Sequence, residues 1–127
     1  MSLSVQSVDP TRRDQLALAD ERVSYSWNQL DPILNRAANA LGTLAFPGER
    51  RVAVFAHNSA ETVIAYVACL EAGISSVPVS FHLTPAEAAY ILKDSGAAAL
   101  LVGPETAEAG LAAAAEAGIA TVIGWRT

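Results

Sequence analysis

The chain has 127 residues, is 52% hydrophobic and carries a formal charge of −5, which fits one domain with a core of its own. Eight basic residues, paired at Arg12-Arg13 and Arg50-Arg51 but forming no stripe, argue against a nucleic-acid partner, because phosphate binding needs clustered Lys and Arg. The single cysteine excludes an intrachain disulfide, and no apolar run is long and uninterrupted enough for a membrane span.

Residues 1–15, with the stretch MSLSVQSVDPTRRD, lack the apolar core of a signal peptide and read as an N-terminal extension. With the lone cysteine, this leads to the expectation of a cytoplasmic protein. Leu16 to Asp20 and Val23 to Tyr25 read as short strands joined at Glu21-Arg22 into a hairpin. A helix follows, for which two starts compete. Ser26 and Gln29 have capping-box spacing. Pro32 would then sit at the sixth helical position and remove a bonded N–H, so Asp31 is an alternative cap with Pro32 first in the helix. Leu30, Leu34, Ala37 and Leu41 share a face, and Gly42 is the expected stop.

From Arg51 the pattern becomes regular. Val52 to Ala56 is an apolar strand. Asn58 and Glu61 are expected to cap a helix with Val63, Ile64, Val67 and Leu70 on its core face, ended by Gly73. Cys69 lies in the apolar run VIAYVACL and reads as a core residue. Val77 to Val79 is the next strand. Thr84, Pro85 and Glu87 form a helix start with N-cap, first-turn proline and capping-box acid. That helix stops near Gly96, followed by a strand at Ala98 to Val102. A helix from Glu105 to Ala117, Gly118 as its stop, and a strand at Ala120 to Ile123 complete the chain. Gly73, Gly96 and Gly118 recur at the length of one βα unit. The fold class expected is α/β: a parallel sheet of βα units covered by helices on both faces and preceded by a short β-hairpin. The ends of such a sheet find no cover within the chain, which suggests part of a larger protein.

Ligands of open parallel sheets sit beyond the carboxyl ends of the strands. Three loops leave such ends: His57-Asn58-Ser59, Ser80 to Thr84, and Gly103-Pro104. In the second, the capped helix start favours an anion, His82 offers a donor to a phosphate and Phe81 a flat face for a base. Against this, His82 can simply bond a neighbouring carbonyl while Phe81 fills the core. His57 reads as a helix-entry residue, because no carboxylate or second histidine lies near it in sequence. Two histidines without acidic or cysteine ligands at ligand spacing do not make a metal site. Gly-rich phosphate loops and a G-x-S-x-G elbow are missing. Lys93, the only lysine, reads as a solvated helix end.

The run from Ser24 to Ser95, comprising SYSWNQLD, NRAANAL, GERRVAVFAHNSAETVIAYVACLEAGISSVPVS and HLTPAEAAYILKDSG, resembles the N-terminal part of AMP-forming acyl-CoA synthetases. These belong to the adenylate-forming superfamily, with luciferases and the adenylation domains of peptide synthetases. The resemblance covers about residues 16–102 and rests on the order and spacing of these segments. It implies that residues 16–127 are a partial N-terminal α/β subdomain, without the family's ATP loop or C-terminal domain. The parent enzyme would activate a carboxylic acid with ATP as acyl-AMP, assisted by Mg²⁺, and pass the acyl group to CoA. The chain alone would be inactive scaffold. Ser80, Phe81, His82 and Thr84 match the loop that lies under the CoA nucleotide in the family, although Ser80 stands where many members have Asn. Other expectations weighed are an adenylation domain or acyl-AMP ligase loading a carrier protein, and a non-catalytic association module. Exposed apolar surface would favour self-association.

Overall fold

A computed structural model describes all residues from Met1 to Thr127. A short helix α1 (Leu3–Gln6) and a 3₁₀ turn (Pro10–Arg12) lead into β1 (Leu16–Ala19) and β2 (Ser24–Ser26), which pair antiparallel as the expected hairpin. Its turn is made by Asp20, whose carboxylate accepts the N–H groups of Arg22 and Val23 at 2.8 and 2.9 Å. Residues 1–15 do not hang free. Val5 is fully buried, the Ser2 N–H donates to Asp31 at 2.6 Å, and the Ser4 N–H donates to Glu71 at 3.0 Å.

Helix α2 (Trp27–Gly42) starts at Ser26, where the complete capping box with Gln29 forms. Pro32 therefore lies inside the helix and costs one backbone bond. The rival cap, Asp31, is occupied by Ser2 instead. Gly42 does not end α2 by a left-handed turn. Thr43 caps it with ordinary right-handed backbone, and its hydroxyl donates to the Ala40 carbonyl at 2.6 Å.

The main sheet is parallel, with order β4-β3-β5-β6. Its strands are β3 (Arg51–Phe55), β4 (Ser75–Val79), β5 (Ala99–Val102) and β6 (Thr121–Gly124), connected by α3 (Ala60–Glu71), α4 (Pro85–Ser95) and α5 (Ala107–Ala117). A right-handed crossover puts its helix on a face set by the direction of travel. The step from β3 to β4 runs one way across the sheet, and the steps from β4 to β5 and from β5 to β6 run the other. Accordingly α3 joins α2 on one face, against Val52, Val54, Ala99 and Leu101. α4 and α5 share the opposite face, against Ala53, Phe55, Leu100 and Val102. The wholly apolar sequences of β3 and β5 are thus explained, since successive side chains serve two different cores. Pro78 is tolerated because β4 is an edge strand.

Two helices differ from the sequence expectation. The cap of α3 is Ser59, not Asn58, and its hydroxyl accepts the Thr62 N–H at 3.3 Å. Its core face is built from Ala60, Thr62, Ala65, Ala68 and Cys69, whereas Val63 and Leu70 remain 44% and 76% exposed. Small side chains let the helix lie close on the sheet, and the larger ones point sideways, Val63 and Val67 toward α1 and the hairpin. Helix α5 begins at Ala107 rather than Glu105, and Thr106 makes no capping bond. Its hydroxyl is turned into the sheet, donating to the Phe55 carbonyl at 2.5 Å and accepting the Gly103 N–H at 3.2 Å. Gly73, Gly96 and Gly118 all follow their helices with φ between 70° and 77°, as their recurrence predicts.

On the face bearing α2 and α3, β6 is left partly uncovered. An apolar groove of about 490 Å³ runs there, lined among others by Tyr25, Ile33, Ile64, Leu101, Ile123 and Trp125.

Candidate site at the carboxyl ends of the strands

The strand order reverses between β3 and β5, the usual place for a ligand in an open α/β sheet. Here that crevice is filled by protein. Thr106 bridges the ends of both strands, Trp125 donates its backbone N–H to the Val102 carbonyl at 3.1 Å, and its indole packs close to Gly103. The open chemistry lies to one side, over β3 and β4.

There the loops after β3 and β4 meet through their rings. Phe81 stands 4.1 Å, centroid to centroid, from His57 at a tilt of 40°, and 4.1 Å from His82 at 37°. His82 is exposed, and His57 and Phe81 are half-buried. Phe81 also packs against the core beneath α4. The fold thus brings together three of the residues weighed from sequence, including the two histidines, which the chain separates by a whole βα unit. Ser80 holds the loop internally: its carbonyl accepts the Leu83 N–H at 3.1 Å and its hydroxyl the His82 N–H at 3.4 Å. Thr84 is engaged in the capping box of α4, accepting the Glu87 N–H at 3.2 Å while its own N–H donates to the Glu87 carboxylate. Because Pro85 has no N–H and Glu87 brings a negative charge, the start of α4 offers an anion less than an uncapped helix would. The rings are the larger recognition surface.

A second, polar cluster sits at the same end of the sheet and had no signal in the sequence. Asp20 also accepts the Ala60 N–H at 2.9 Å. That bond, then those from Arg22 and Val23, lowers its carboxyl from the ordinary 3.8 to about 2. Glu61 takes the Arg22 guanidinium at 2.5 Å and that of Arg126 at 2.9 Å. Burial pushes the Glu61 pKa up, but its own backbone N–H and the two guanidiniums outweigh this and hold it below the ordinary value. The partners lie 39 and 65 residues away, so no local spacing announces them. Its second oxygen, Oε2, is buried without a partner. A shallow polar pocket of about 190 Å³ opens beside this cluster, lined by Asp20, Arg22, Asn58, Glu105 and Arg126 among others.

No three His, Cys, Asp or Glu side chains converge in a way that could hold a metal ion, so the residues present do not fit a Mg²⁺ site, and no step is assigned to one. Cys69 is buried, and burial pushes its thiol up, away from the reactive thiolate. No helix is long and apolar enough to cross a membrane.

Known proteins share this fold. Residues 6–124 match the family described as AMP-binding enzyme. Tyrocidine synthase 3 of Brevibacillus parabrevis is 36% identical over 96 residues, covering 76% of this chain and 2% of that protein. The long-chain-fatty-acid–CoA ligase FadD13 of Mycobacterium tuberculosis is 31% identical over 88 residues, covering 69% of this chain and 17% of that protein. Among solved structures, the inhibitor-bound N-terminal domain of FACL13 from Mycobacterium tuberculosis superposes with a TM-score of 0.73 at 28% identity, covering 81% of this chain and 27% of that one. The anthranilate CoA ligase AuaEII in complex with anthranoyl-AMP shares the fold with a TM-score of 0.85 at 23% identity, over 95% of this chain and 24% of that one. The chain therefore spans a small fraction of the length of its relatives. With its hairpin, its parallel sheet and its match over residues 6–124, the chain belongs to the AMP-binding enzyme family of the adenylate-forming superfamily.

Proposed function

We propose that this chain is the N-terminal part of an ATP-dependent acid–CoA ligase, residues 1–15 being an extension and 16–127 a partial N-terminal subdomain. The relatives include both CoA ligases and peptide synthetases, so the acceptor must be argued from the site. The observation that carries the reading is the cluster of tilted rings formed by the half-buried His57 and Phe81 and the exposed His82. Coenzyme A carries a purine and a phosphate that such a surface can recognise. A carrier protein presents its pantetheine arm without a base, and would gain nothing from flat rings here. In this reading Ser80 shapes the loop, Phe81 and His82 face the CoA nucleotide, and Thr84 fixes where the loop enters α4. ATP, Mg²⁺ and the carboxylic acid are assigned to parts of the enzyme outside these residues, and no catalysis is expected from the chain itself.

The test is to supply a protein that carries this segment within a whole adenylate-forming enzyme with ATP, Mg²⁺, CoA and a panel of carboxylic acids. Formation of AMP and an acyl-CoA thioester supports the reading. Acyl-AMP that passes only to a carrier protein would replace it with the loading alternative. A second reading, a non-catalytic association module, predicts a closed chain, whereas the fragment reading predicts exposed apolar surface and self-association; the apolar groove beside β6, where Ile123 is 41% exposed, favours the fragment reading. Gel filtration at two concentrations separates the two: a clean monomer at both counts against the fragment reading.

A further inference from the structure

We infer that His57 is a positioning residue, one that sets the plane of Phe81 and through it the presentation of His82 to a purine nucleotide. This rests on reading the Ser80–Thr84 loop as a nucleotide contact. The loop has few holds of its own: besides the capping bonds at Thr84, only the Leu83 and His82 N–H groups are tied to Ser80, and the second bond is long at 3.4 Å. Neither fixes the rotation of the Phe81 ring. Besides the core beneath α4, against which Phe81 packs, the two imidazoles flank that ring, each with its centroid 4.1 Å from that of Phe81.

The imidazoles are not equivalent. His82 belongs to the same turn as Phe81 and is exposed. His57 is half-buried and belongs to a different element, directly after the buried residues Phe55 and Ala56. Its backbone carbonyl accepts the Thr62 hydroxyl at 2.6 Å, which ties it to the first turn of α3. A line of contact therefore runs from α3 through His57 and Phe81 to His82, and only its last member is fully presented to solvent. An aromatic ring held in place binds a flat partner at a lower ordering cost than one free to rotate. Two imidazoles with no acidic partner do not make a metal site, and no hydrogen bond gives the His57 ring a donor or acceptor role, so contact with Phe81 is the interaction its ring makes.

The experiment titrates the 127-residue chain with adenosine 3′,5′-bisphosphate by calorimetry, for the wild type, His57→Ala and His57→Phe, with thermal unfolding measured on each. In the same proteins the ring resonances of His82 are followed by NMR without ligand. In His57→Ala, Kd is expected to rise roughly two- to tenfold, the range of one aromatic pair, the His82 resonances to move, and the unfolding temperature to stay near that of the wild type. His57→Phe, which keeps a ring but no imidazole nitrogen, should restore both affinity and resonances. Unchanged His82 resonances in His57→Ala overturn the positioning role whatever the ligand does. Failure of His57→Phe to rescue affinity also overturns it, because the imidazole itself would then be the contact. A wild-type chain that binds no nucleotide, but whose His82 resonances move in His57→Ala and return in His57→Phe, refutes the nucleotide reading of the loop and with it the role toward a purine, while the ring coupling stands.

Discussion

At the scale of single residues, Asp20 joins the hairpin turn to α3, with two N–H groups from its own turn and one from the first residue of α3 on its carboxylate. These bonds favour the charged form, so its folded pKa of about 2 lies below the ordinary 3.8. The sign of the linkage follows: the stability it contributes is present above the ordinary value and is lost as pH falls toward about 2. Urea midpoints measured between pH 5 and 2 should therefore fall more steeply for the wild type than for Asp20→Asn, which has no proton to take up. Equal slopes would mean that the carboxylate is not held as described. Asp20 was legible in the sequence only as the end of a strand, because the Ala60 contact joins residues that no local pattern relates. Thr106 and Ser59 teach the same lesson from the other direction. Asn58 is an acceptable cap by residue type, but α3 is capped at the next position, where the Ser59 hydroxyl accepts the Thr62 N–H, and α5 starts only after Thr106, whose hydroxyl is committed to the sheet.

Among the elements from β1 onward, existence and order were legible, because apolar strands, capping boxes and stop glycines are local signals, whereas α1 and the 3₁₀ turn within residues 1–15 were not expected. The face of α3 was not. Its branched aliphatic side chains, Val63, Ile64, Val67 and Leu70, suggest one buried stripe, but the depth of the helix is set by the sheet below, and only the small residues fit there. The same close approach on the opposite face is visible at Gly110 of α5, where an added Cβ would meet Val102 Cγ1 at 2.5 Å. Alanine is the better helix former, by up to about 1 kcal/mol. Overpacking against a β-branched side chain in a central strand costs about 1–3 kcal/mol, and Val102 has little freedom to yield. Gly110→Ala is thus expected to lower the unfolding temperature in spite of its higher helix propensity, and Gly110→Ala combined with Val102→Ala should recover part of the loss. A single mutant as stable as the wild type would show that α5 can move off the sheet.

Across the whole molecule, two cores meet at β3 and β5, and the hairpin is attached outside both. The central strands are covered on both faces and paired on both edges, so their amides open only in global unfolding. The hairpin has no such protection. Beyond its contacts with α2, it is held to the rest by Asp20 on the start of α3 and by Arg22 on Glu61, which also receives Arg126 from beyond β6. Glu61 therefore ties the hairpin and the end of the sheet to one helix turn. Partly exposed ion pairs contribute about 0.2–1 kcal/mol each. Removing this one by Glu61→Ala should lower the local opening energy of the segments it joins without touching the cores. In hydrogen exchange, the amides of residues 18–25 and 122–126 are expected to exchange roughly two- to fivefold faster, while those of β3 and β5 stay as slow as in the wild type. Acceleration spread evenly over all strands would instead make Glu61 part of the cooperative core. No acceleration at the hairpin would mean that Asp20 and the α2 contacts hold it without help.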